Sequence, residues 1–167
     1  AEYHVDLPAD DQVSLEYASK DDTGELYYGS LNAALVDSSI ALVTAGYLIG
    51  VAEKGEILGH CAQLPGEAFY DGPVHEHILV ICYSYAWATE IHPDPDGRQL
   101  KELVVFLKWI ANTEAYEHKK VVVFMDWISL YQDVPKGART IEQTAVYMTA
   151  VRKVNLIFGH PSTLTLQ

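Results

Sequence analysis

Sulfur and positive charge are both scarce in this chain. Only Cys61 and Cys82 occur among 167 residues, and Cys82 sits inside the apolar run HILVICYSY, so no disulfide framework is readable. Asn-x-Ser/Thr sequons are absent as well, which removes one sign of secretion and leaves an intracellular setting, organelles included, as the expectation. Eleven Lys and Arg stand against 23 Asp and Glu, a formal net charge of −12. A field of that sign repels phosphate backbones and anionic bilayers, which argues against a nucleic-acid role and favours basic partners or a crowded protein assembly. Because the chain opens with Ala1, a processed product is expected, from which any targeting peptide has already gone.

Several catalytic signatures are missing too. Neither GxGxxG nor GxxxxGK[ST] occurs, so no phosphate-cradling loop is legible. Ser84 lies outside any G-x-S-x-G elbow, and no Cys–His arrangement stands out. A charge-free run of bilayer length is also lacking. The most apolar stretch, residues 31–52, reaches it only by enclosing Asp37, which costs about 3 kcal/mol near a bilayer centre. That stretch is a weak candidate span. A buried helix capped at Asp37 or Ser38 and stopped at Lys54-Gly55 is the better reading.

What the chain does contain is enough apolar residue, 49%, to bury the core of one ordinary domain. Residues 1–30 are polar and acidic with no sustained period and read as an extended arm. Residues 31–75 hold the apolar helix and a Gly/Pro-rich linker that wraps the domain, with LPGEAF making one helical turn. Residues 76–167 carry the regular pattern. HILVICYSY (77–85) and VVVFMDW (121–127) are short, continuous and β-branched, as strands buried on both faces must be, and NLIFGH (155–160) reads as a third. Between them, Leu100, Leu103, Val104, Leu107 and Ile110 mark an amphipathic helix over 98–117, and TIEQTAVYMTAVRK a second over 140–153. The alternation predicts an α/β domain with a parallel, flavodoxin-like sheet flanked by helices.

In such sheets contacts are made beyond the carboxyl ends of the strands. The loops leaving the first two strands, HPDPDG and DWISLYQDVPKGAR, would bring Ser84, Trp87, His92, Asp94, Asp96, Asp126, Gln132 and Arg139 to one rim. Each also has a structural reading. The prolines exclude helix before Asp96, which is a good N-cap for the helix that follows. Asp126 needs a partner if buried, and Arg139 is the obvious one. Trp87, Trp109 and Trp127 read first as core or cover residues, although Trp87 at the rim could stack on a base or a partner's side chain. Asp94, Asp96 and Asp126 lack the spacing of a cation loop, and His75, His77 and the remote Cys61 lack that of a zinc site, so no metal is expected.

The stretch FMDWISLYQDVPKGARTIEQTAVYMTAVRKVNLIFGHP resembles the fungal heterokaryon-incompatibility (HET) domain, with Asp126, Gln132, Asp133, Arg139, Gln143 and Met148 at matching places. Upstream, QLPGEAF, SYAW and HPDPDG resemble the algal and protist relatives of that domain, so the likeness covers about residues 62–161. Those domains are similar to the Toll/interleukin-1 receptor (TIR) fold. The resemblance implies either a non-catalytic interaction module, held to other proteins or to itself in a larger assembly, or an NAD-binding or NAD-cleaving module with its site at the rim. TIR enzymes of the second kind use a glutamate on the helix after the third strand. That helix has no counterpart before Gln167, so the fold is expected to be incomplete at its C-terminus. Glu142 lies one helix too early to take the role. The interaction module, without a cofactor, is therefore the expectation.

Overall fold

A computed structural model describes residues 28–167, and the expected arm lies outside the described residues as far as position 27. Ten elements follow in chain order: α1 (Gly29–Leu35), β1 (Leu42–Thr44), α2 (Ala45–Lys54), β2 (Phe69–Tyr70), β3 (Ile78–Tyr83), α3 (Arg98–Ala111), β4 (Lys120–Phe124), α4 (Asp126–Ser129), α5 (Ile141–Gly159) and β5 (Thr163–Leu166). The strands form one open sheet in the order β2-β1-β4-β3-β5. β3 is parallel to both β4 and β5, while β1 runs antiparallel to β4 and to β2. The fold is thus an α/β sheet, mostly parallel and flanked by helices, as in flavodoxin-like proteins.

Period-two alternation divides β3 between two cores. Leu79 and Ile81 point to one face and pack with Leu48 and Val51 of α2 and with Leu100, Leu103, Leu107 and Ile110 of α3. Ile78, Val80 and Cys82 point to the other, with Phe124 of β4, Leu31 of α1, and Ala150 and Ile157 of α5. Chain order explains why a strand so apolar belongs at the centre. The path from β3 through α3 reaches β4 on one side, and the path from β4 through α5 returns across β3 to β5 on the other. A helix therefore covers each face, and the connections diverge at the carboxyl end of β3, where this fold class places its ligands.

Three expected elements differ, and the first is the amphipathic helix expected over 98–117, which stops at Ala111 where the Asn112 amide closes on Trp109 O. The segment NLIFG is the last part of α5 and not a strand, because Ala150, Val154, Ile157 and Phe158 continue the helical repeat onto the second core. His160-Pro161 ends the helix, and the third parallel strand is the alternating TLTL that follows. The apolar region 31–52 is likewise not one helix from Asp37. After α1, Asp37 accepts from Ser39 N at 3.0 Å in a turn, with Ser38 at φ 56°, and β1 then adds to the sheet beside β4. Only α2 keeps the expected end, where Gly55 at φ 70° lets its own amide and that of Glu56 close on Ala52 O and Val51 O. The wrapping linker supplies the single turn Gly66–Ala68 expected of LPGEAF, and then β2. No described helix is long and apolar enough to cross a membrane.

Candidate functional site at the strand ends

The turn from β3 into α3 is held by its own polar groups. Pro93 and Pro95 remove two amides that would need partners, and several of the others are taken locally: Ala88 N donates to Pro93 O at 2.9 Å and His92 N to Thr89 Oγ1 at 2.9 Å. Gln99, the second residue of α3, reaches back so that its Nε2 donates to Ala86 O and Pro93 O, both at 3.0 Å.

Asp94, only 3% exposed, is the group that starts α3. Its Oδ1 accepts from Gln99 N at 3.0 Å and its Oδ2 from Leu100 N at 2.8 Å. Two helix amides that would otherwise be unpaired are satisfied by a charge placed at the positive end of the helix dipole. Asp96, expected as the cap, takes the exposed Arg98 N at 3.2 Å, and chiefly that bond, with the neighbouring Asp94 side chain and the Arg98 charge, holds its carboxyl below the usual range. The correction has a backbone cause. Gly97 occupies the cap position at φ 70°, and its turn carries the helix start back over Asp94.

His92 is equally committed. Its Nδ1 accepts from Asp94 N at 2.9 Å, which assigns the proton to Nε2, and Nε2 donates to Leu58 O at 3.2 Å. Trp127 Nε1 donates to the same carbonyl at 2.9 Å. The buried Trp127 ring is packed by three others, His92 at 4.7 Å, Trp87 at 5.4 Å and His60 at 5.5 Å between centroids, the last two edge-on. Burial pushes the His60 imidazole below its ordinary pKa, and the nearby His92 adds to the shift.

Asp126 begins α4 where β4 ends. Tyr85 Oη donates to its Oδ1 at 2.9 Å, Trp87 Nε1 to Oδ2 at 3.0 Å, and Trp127 N to Oδ1 at 2.7 Å. Burial, and next the Asp126 carboxylate, raise the Tyr85 phenol well above its ordinary pKa, which keeps it a donor. Gln132 Nε2 holds the Asp126 carbonyl at 2.6 Å and that of Leu130 at 3.1 Å.

Arg139 is not the partner of Asp126. Its guanidinium lies 3.7 Å from the centroid of the Tyr147 ring, its Nε is buried without a hydrogen-bond partner, and no described ion pair includes it. The arginine amide instead donates to Asp133 Oδ1 at 3.0 Å, beside Gly137 N at 2.9 Å, and these bonds lower the Asp133 pKa. Three neutral donors thus replace the expected cation at Asp126.

Of the residues expected at the rim, Trp87, His92, Asp126 and Gln132 form one bonded and packed unit. Asp94 and Asp96 belong to the helix start beneath it. Ser84 stands apart from the network: its amide donates to Leu166 O at 2.9 Å, and it lines a 200 Å3 pocket with Tyr83, Tyr85, Phe124, Asp126, Val154 and Phe158. Sequence reasoning read Trp127 as a core residue, which its burial bears out, and missed Tyr85 and the Leu58 carbonyl. Tyr85 was within reach, since it neighbours Ser84. A backbone acceptor from a distant loop leaves no signal. Among the described residues no group of three or more His, Cys, Asp or Glu could hold a metal ion.

No family model matches the chain, and no curated protein or solved structure matches it significantly.

Proposed function

We propose that the chain is a non-catalytic TIR/HET-like interaction module, or an accessory subunit of a larger protein assembly. One observation carries this reading: the polar groups of the rim are used to build the rim. Asp94 is spent on two helix amides, His92 on an amide and a carbonyl, and Asp126 on three donors. What remains outward is a stiff, shaped surface with Ser84, Trp87, Glu90, Ile91 and Asp96 exposed. Such a surface suits recognition, because preorganised side chains lose little freedom on binding. The TIR/HET-like part of this reading rests on the motif likeness over residues 62–161.

The pocket beneath Ser84 favours a second reading, an NAD-binding or NAD-cleaving site, since it lies at the carboxyl ends of β3 and β4 and includes Asp126. Its 200 Å3 falls below the roughly 300–1,000 Å3 of ordinary ligand sites. It has room for a single ring and not for a dinucleotide. Incubation of the purified chain with NAD, following nicotinamide release, separates the two. The interaction module releases none. Sustained release that disappears in Asp126→Ala or His92→Ala would replace it with the enzyme.

A further inference from the structure

A second space opens at the strand ends, on the β1 side of β4. Because β1 runs antiparallel to β4, with Val43 opposite Val123, it begins where β4 ends, and Ala41 N donates to Ser129 O at 3.0 Å to tie the turn before β1 to α4. The wrapping linker adds the short turn Cys61–Gln63 to this junction, and Phe69 of β2 adds a ring. The result is a cavity of 310 Å3 that shares no lining residue with the pocket beneath Ser84. Its volume falls within the roughly 300–1,000 Å3 of ordinary ligand sites. Its place, beyond the carboxyl end of a sheet strand, is where this fold class binds them.

Its lining holds buried polar groups that are short of partners. Ser39 is 5% exposed, and its hydroxyl is buried with no hydrogen-bond partner among the described residues. Buried hydroxyls are nearly always paired, because an unpaired one forfeits the bonds it made with water. Ser129, 1% exposed, uses an Oγ lone pair to accept from Met125 N at 3.1 Å, which leaves its own proton to give. Cys61, which also lines the cavity, is held as the neutral thiol, since burial pushes it up to about 11. Leu64 and Phe69 supply the apolar part, and among the described residues no Lys, Arg, His, Asp or Glu lines the space.

We propose that this cavity binds an uncharged, single-ring compound through a carbonyl or ether oxygen, which accepts from the Ser39 and Ser129 hydroxyls while the ring lies against Leu64 and Phe69. The class of ligand follows from the lining. An anion would meet no cation there and would enter against the field of a chain of net charge −12. A cation would meet no carboxylate, and either charge would exchange its water for a wall of neutral groups. A neutral acceptor loses little on entry and pairs the orphaned hydroxyl. The site is separate from the Ser84 rim, so it stands whatever the NAD test returns.

The probe is acetophenone, a neutral ring with one carbonyl, titrated into the isotope-labelled whole chain and followed by amide chemical shifts. Shifts should cluster at Ser39, Phe69, Ser129 and Tyr131, all of which line the cavity, with a Kd on the order of 1 mM for so small a probe. Benzoate and benzylamine carry the same ring with a charge and should bind at least about tenfold more weakly. Ser39→Ala should weaken acetophenone by about two- to tenfold, the worth of one hydrogen bond. Ala62 is exposed at the edge of the cavity, so Ala62→Trp should leave the melting curve unchanged and abolish binding by filling the space. Saturating acetophenone should also slow modification of Cys61 by a disulfide reagent. An absence of shifts at these residues, equal binding of benzoate, or binding unchanged in both variants overturns the proposal.

Discussion

At the scale of single residues, position in space decides which of several similar carboxylates matters. Asp94 and Asp96 are two apart in one loop, and only the first is buried against helix amides. Asp94→Ala should therefore lower stability by about 0.5–2 kcal/mol, the usual range for a lost N-cap, while Asp96→Ala should leave stability close to wild type, as exposed substitutions do. Chemical denaturation of both variants checks the order. Asp37 gives a pH signature. Its bonds to Lys153 and Ser39 lower its pKa from 3.8 to about 2, so the folded state holds this proton less tightly than the unfolded chain. The resulting stability is fully present above pH 3.8 and is lost as pH falls toward about 2. Asp37 keeps over a third of its side-chain surface in water, which limits the gain to under about 1 kcal/mol. Denaturation midpoints at pH 5 and pH 2.5 should differ less in Lys153→Ala than in wild type.

At the scale of elements, legibility followed the length and context of each pattern. The centre of the sheet could be read because β3 and β4 lie between neighbours on both edges and both faces, and their sequences are continuous apolar runs. NLIFG misled because a short apolar run fits a buried strand and a buried helix equally, and only its phase with Ala150 and Val154 distinguishes them. Brevity hid β1: its three residues, Leu42–Thr44, are joined directly to α2 with no turn signal between. The rim was legible as a set of residues and not as a set of bonds. Asp126 needed a partner as expected, yet it found the neutral Tyr85 and Trp87, because Arg139 is drawn onto Tyr147. The start of α5 tests local chemistry cleanly. Thr140 Oγ1 accepts from Gln143 N at 3.1 Å while Gln143 Oε1 accepts from Thr140 N at 3.0 Å. Replacing Thr140 by Ala removes one half of this capping box and should cost about 1 kcal/mol in a thermal or urea melt.

Across the whole molecule, two layers of helix isolate the sheet from water, and thiol chemistry reports on that isolation. Cys82 is fully buried on the α5 face, with its thiol raised to about 12 by burial, and the half-buried Cys61 is raised to about 11 for the same reason. In native buffer a disulfide reagent should modify Cys61 slowly and Cys82 only at the rate of global unfolding. Full denaturation should make both react at once.

The rim is stiffened by its own polar groups, and native-state hydrogen exchange resolved across residues 84–97 measures that stiffness directly. The amides of Ala88, Thr89, His92, Asp94 and Gly97 donate within the protein and should exchange at least about a hundredfold more slowly than in an unstructured peptide. Exchange at the unstructured rate across this loop, with β3 and α3 protected on either side, would contradict the account.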